Sequence, residues 1–165
     1  MLFRSTGAFH VWLPIQPQVG GDVTFIQSDP NTTLTTPSCA QVPISVGGYD
    51  GLTKAIYPLS GRGFDARGRI KPDFCAPAVN VSGADMRNRY ITMTGTSASA
   101  AITAGAAAQC LEWGILRGNA KTMNSAQVKN LLIRGCQREE NMMYPNPEWG
   151  YGRLDAYQAI VVLRK

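Results

Sequence analysis

At 165 residues with a formal net charge of +5, the chain has the size of one domain or of one large piece of a domain. Its 44% hydrophobic and 16% charged residues suit a folded protein and exclude a disordered one. No apolar run reaches the ~18 residues that a membrane span requires, and a single histidine with no CxxC pair argues against a zinc site. The densest basic stretch, Arg62, Arg67, Arg69 and Lys71, lacks interleaved aromatics and contains Gly61, Gly63 and Gly68, so it reads as a loop and not as a nucleic-acid surface. Cys39, Cys75, Cys110 and Cys136 are widely spaced and read as free, mostly buried thiols.

In chain order, the N-terminal MLFRSTGAFHVWLPI is interrupted by His10 and Pro14 and has no small-residue cleavage site, so it does not read as a secretory signal. Residues 1–30 are expected to be β-rich, from the apolar runs Phe9–Leu13 and Val23–Ile26. Residues 27–38 read as a connecting loop. Val42–Tyr49 is predicted as a buried strand ending at Asp50-Gly51, and residues 58–77 as mostly loop. Val79–Val81 and Tyr90–Thr94 are two further strand candidates. Ser97–Trp113 is almost entirely small or apolar and predicts a buried helix stopped at Gly114. Ser125–Arg134 predicts a second helix, capped by Asn124 with Gln127 three residues on, and Asp155 with Gln158 predicts a third running towards Leu163. Short apolar strands followed by helices point to an α/β architecture with a mostly parallel sheet.

The segment from Thr94 to Gly105 bears on chemistry. It puts Ser97 at the start of a helix, directly after a turn containing Gly95 and Thr96. The first N–H groups of a helix lack internal partners and form the positive end of its dipole. A nucleophile there lies beside donors that can hold an oxyanion. Serine also caps ordinary helices, so from this segment alone a cap and a nucleophile are both open.

The flanking sequence adds to this. Gly95-Thr96-Ser97 with small residues and Ala104-Gly105 after it resembles the serine motif of the subtilisin-like proteases (subtilases). Lys71-Pro72-Asp73 with Ala76-Pro77, Val46-Gly47-Gly48, Ser60-Gly61-Arg62-Gly63, and Gly150-Tyr151-Gly152-Arg153-Leu154-Asp155-Ala156 resemble further blocks of that family, in its order. Together they cover residues 40–160 or so. In style, residues 61–73 and the Phe9–Ile15 segment are similar to clostridial subtilases related to the Csp spore-germination proteases. Ala78 departs from the family's usual glycine, and Ala101 from its usual proline.

The resemblance implies a subtilisin-like fold, represented by the C-terminal part of the catalytic domain over residues 31–165, with residues 1–30 as the end of an insertion. It also implies a serine endopeptidase with Ser97 as nucleophile and backbone oxyanion donor, protein or peptide substrates, no metal or organic cofactor, and a spore association. In this family the triad runs Asp, His, Ser along the chain. Here His10 is the sole histidine and no aspartate precedes it, the first being Asp22. The family's His-Gly-Thr-His motif is absent, and neither Asn80 nor Asn88 matches its oxyanion asparagine. The chain is therefore read as inactive alone and in need of a complementary N-terminal part. Without that part, an open sheet edge and bare apolar surface are expected to promote self-association. Two other readings stay open: a natural remnant or pseudoprotease acting as a binding or regulatory module, and an unrelated α/β binding domain.

Overall fold

The computed structural model describes residues 10–14, 18, 21 and 23–162. Its centre is a parallel pair, β1 (Val46–Tyr49) and β2 (Phe74–Pro77), in the register Val46↔Phe74 to Tyr49↔Pro77. The residues 58–77 expected to be loop thus end in a strand that is buried at Phe74, Cys75 and Ala76. A four-residue strand buried on both faces has no polar alternation to reveal it, and Pro72 and Pro77 disguise it further. The strand expected at Val42–Tyr49 begins only at Val46, with Val42 exposed.

Both edges of this pair are extended by irregular chain. Gly152 O accepts from Cys75 N (2.9 Å), Cys75 O accepts from Leu154 N (2.8 Å), and Arg153 pairs in turn with Gln137. On the other side, Gly48 O accepts from Tyr57 N (2.9 Å) and Gly48 N donates to Ser60 Oγ (2.9 Å).

Three helices cover one face: α1 (Thr96–Leu111), α2 (Ser125–Gly135) and α3 (Ala156–Val161). Phe74 of β2 packs with Ala106 and Cys110 of α1, Val128, Leu131 and Leu132 of α2, and Ala159 of α3. Burying Phe74 or Leu132 completely stabilises the fold by about 1.5–3 kcal/mol each. The next residue along, Cys75, faces the other way, into a second cluster with Tyr49 and Trp149.

The caps follow the sequence. Asn124 and Gln127 form a reciprocal capping box, and Asp155 Oδ1 accepts from Gln158 N (2.9 Å). Leu163, the expected end of α3, lies outside the described residues. Gly114 does not stop α1. The chain continues through a π-helical turn, Glu112–Leu116, in which Gly114 packs under Met123. The break comes at Gly118, whose φ of +77° ends the helical path.

β4 (Arg89–Met93) matches the candidate Tyr90–Thr94 with bounds shifted by one residue, whereas β3 (Val81–Asp85) starts at the last residue of the candidate Val79–Val81 and runs beyond it. They pair antiparallel with each other as a separate hairpin and do not join the parallel pair. The reversal is made by the turn at Met86–Asn88, where Arg87 and Asn88 have φ of +66° and +56°. Residues 10–14 and 23–30 carry no strand, contrary to the runs expected there; Phe9 lies outside the described residues. What orders the segment is polar: the Trp12 indole donates to Thr32 O (2.8 Å), and Thr33 N to Arg62 O (2.9 Å). Among the described residues, no helix is long and apolar enough to cross a membrane.

Candidate active site

Ser97 is the second residue of α1 and is exposed at its surface. The N-cap is Gly95, with φ +148° and ψ 161°, backbone that a residue bearing a Cβ adopts only under strain. The cap forms no side-chain hydrogen bond, and the first turn holds no acidic residue. The capping alternative therefore goes to Gly95, and the Ser97 hydroxyl is not spent on the helix end. Ala98 N donates to Gly95 O (3.0 Å), closing the turn. What remains is a hydroxyl beside the first-turn amides of a 16-residue helix, at the positive end of its dipole.

The turn is fixed from below. Gly95 N donates to Ala78 O (2.7 Å), tying the cap to the chain just beyond β2. Ser99, fully buried, directs its hydroxyl at Ala76 O and Pro77 O, both 3.0 Å away. Thr103 Oγ1, one turn further on, donates to Ser99 O (2.8 Å), a bond within α1 that adds nothing to this tie. β1 allows the close approach: a Cβ on Gly48 would lie 2.6 Å from Ala78 Cβ and 3.2 Å from Thr96 Cγ2. Ser99 went unnoticed in the sequence because it looks like one more small residue in an alanine run.

The Lys-Pro-Asp block sets the strands on which this turn rests. Asp73 Oδ2 accepts from Lys71 Nζ (2.9 Å) and Ser45 N (2.7 Å), and Oδ1 pairs with Lys129 Nζ of α2 (2.8 Å). One buried carboxylate thus joins the starts of β1 and β2 to α2. Burial pulls Lys71 below the usual lysine range, and Asp73 opposes that shift. Arg62 is paired with Glu148, and Arg69 with Asp65 (2.6 Å), so most of the basic stretch is engaged internally. All four cysteines are free. Burial raises the Cys75 and Cys110 thiols and pushes Cys136 up to about 12, while Cys39 is half-buried.

Neither His10 nor the two asparagines are hydrogen-bonded to Ser97 among the described residues. His10 is exposed and stacks on Trp12 (5.6 Å between centroids, 27° between planes). Among the described residues, neither Ser97 nor a carboxylate is hydrogen-bonded to it. Asn80 occupies the bend before β3, donating its N–H to Thr94 Oγ1 (3.0 Å), and Asn88 the hairpin turn. A cleft of about 430 Å³ opens beside Thr96, bordered by Val46, Leu59, Ser60 and Leu34.

Residues 15–152 match the profile of the subtilase family. Subtilisin-like protease SBT6.1 of Arabidopsis thaliana is 28% identical over 141 residues, 80% of this chain and 13% of that protein. Serine protease AprX of Bacillus subtilis (strain 168) is 29% identical over 126 residues, 64% of this chain and 27% of that protein. The structure of the CspB protease of Clostridium perfringens superposes with a TM-score of 0.80 at 33% identity, over 85% of this chain and 31% of that one. The chain thus spans less than a third of each of these relatives. A glycine-capped serine on a helix that rests on a parallel strand pair, within a sequence matching the family over most of its length, has one reading: the chain belongs to the subtilase family.

Proposed function

We propose that this chain carries the nucleophile of a subtilisin-type serine endopeptidase and acts together with a complementary N-terminal part that bears the histidine and the aspartate. In this reading Ser97 Oγ attacks the carbonyl carbon of a peptide bond. A histidine takes the hydroxyl proton and returns it to the leaving amine, and an aspartate orients that histidine. The Ser97 N–H then holds the oxyanion, helped by the end of the α1 dipole. Likeness to the clostridial proteases adds a spore association to the proposal.

The observation that carries the reading is the exposed Ser97 hydroxyl one residue beyond the start of α1, with Gly95 serving as the cap. The complementary part has somewhere to go. α1 is rich in small and apolar residues on both faces, yet Ala101, Ala104, Gly105 and Ala108 are exposed, and the cleft between Val46 and Thr96 opens beside β1. A helix apolar all round is normally buried.

The test is hydrolysis of an unstructured protein substrate. The 165-residue chain alone is expected to be inactive, because an unactivated serine is a weak nucleophile near neutral pH. In the complete protease, Ser97→Ala is expected to lower turnover by about 10⁶-fold, the loss seen when a subtilisin loses its serine. A complete protease indifferent to Ser97→Ala would sink the assignment.

A second reading is a remnant that binds or regulates without cleaving. It is favoured by one observation: both edges of the parallel pair are met by the chain itself, at 57–60 and at 152–154. Under that reading the complete gene encodes no His-Gly-Thr-His motif.

A further inference from the structure

We infer that Ser99 is a positioning residue for Ser97, holding the first turn of α1 in the attacking register; the inference rests on the nucleophile assignment above. Ser97 sits midway between two anchors, each two residues away. On one side the Gly95 N–H is bonded to Ala78 O (2.7 Å). On the other the Ser99 hydroxyl lies 3.0 Å from both Ala76 O and Pro77 O. These acceptors belong to one continuous stretch, residues 76–78, at the end of β2. The reactive turn is thereby clamped to a strand that is itself fully buried at Phe74, Cys75 and Ala76.

The two anchors differ in kind. The Gly95 anchor is backbone and survives any substitution that keeps the fold. The Ser99 anchor is one hydroxyl proton shared between two carbonyls, and it is the only side-chain hydrogen bond joining this turn to β2 among the described residues. Its partners come from the strand, so breaking it frees the turn to shift along β2 without unfolding the helix. Thr103 provides the contrast. It is equally buried on the same helix, but its hydroxyl bonds within α1, to Ser99 O, and holds nothing outside it. Reaction rates respond steeply to such shifts, because a displacement of about 1 Å can cost about 10²-fold.

The experiment compares Ser99→Ala, Ser99→Cys, Ser99→Thr and Thr103→Val in the complete protease, with melting temperature, kcat and KM measured for each. Ser99→Ala, and Ser99→Cys at near-constant volume, are expected to lower kcat about 10- to 100-fold with KM nearly unchanged, in keeping with misplacement of the reacting group. Ser99→Thr, which keeps the hydroxyl, is expected to recover most of the rate. Thr103→Val is expected to lower melting temperature with kcat within about twofold of wild type. A second readout needs no turnover: exchange of the Ala98 amide, which closes the turn on Gly95 O, is expected to quicken in the 165-residue chain in Ser99→Ala and not in Thr103→Val. Equal losses of kcat in Ser99→Ala and Thr103→Val, or unchanged exchange at the turn, would overturn the inference. Ser97→Ala, run alongside, separates this from failure of the underlying reading: hydrolysis that survives it removes the nucleophile and leaves the exchange result to judge the clamp alone.

Discussion

The two faces of α1 are built from the same kinds of residue and meet opposite fates. Ala98, Ser99, Thr103, Ala106 and Cys110 are buried against β2 and the other helices, while Ala100, Ala101, Ala104, Gly105 and Ala108 are exposed. Composition does not separate them. What separates them is that one face packs with Phe74, Val128 and Leu132, while the other stays exposed among the described residues. Burial along α1 thus follows what each face meets and not what each face is made of, and the bare face is the one that the proposed complementary part would cover.

The largest effect is expected on the packed side of α1. Gly48→Val forces a branched side chain into the space held by Ala78 Cβ and Thr96 Cγ2, at 2.6 and 3.2 Å from an added Cβ. Overpacking of this kind costs about 1–3 kcal/mol and here should exceed the upper end, since α1 must lift off β1. Urea unfolding measures it, and a loss below about 1 kcal/mol would show that the contact between α1 and β1 is loose.

Next comes the outward face. Ala104→Arg is expected to leave the stability of the chain alone within about 0.5 kcal/mol. In the presence of the complementary part it should weaken association at least about tenfold, because a charge would then be buried without a partner. Titration calorimetry or light scattering decides this. Association unaffected by Ala104→Arg would mean that another surface is the seat.

The smallest effect has the opposite sign. Gly105 is a helix-interior glycine, and an added Cβ would meet nothing within 4 Å. Gly105→Ala should therefore stabilise the chain alone by about 0.5–1 kcal/mol. A destabilised Gly105→Ala variant would indicate that the outward face already packs on something.

These contrasts also mark what the sequence could and could not reveal. α2 and α3 were legible because their signals are local: Asn124 with Gln127, and Asp155 with Gln158, act within one turn. The start of α1 was legible from Gly95 and the small residues after it. Its end was not, since Gly114 serves Met123 and Gly118 makes the break. β2 was hidden because its evidence is tertiary: Phe74–Pro77 is a strand only through Val46–Tyr49 and residues 152–154 on either side. That β3 and β4 pair with each other and not with the parallel strands is not legible in apolar runs, because the turn at Met86–Asn88 decides the pairing. At the site, Ser97 could be read from its flanks. The roles of Ser99 and of Asp73 between two lysines needed coordinates, for both depend on partners more than 20 residues away.

In the proposed function, Ser97 is one part of a catalytic centre divided between two pieces. Mixing the 165-residue chain with a separately produced N-terminal part of the same protease, and following cleavage of an unfolded protein, tests it most directly. No cleavage is expected from either piece, cleavage is expected on mixing, and none when the mixture contains Ser97→Ala. Cleavage by the 165-residue chain alone that disappears in Ser97→Ala would contradict it, since a base would then lie within these residues.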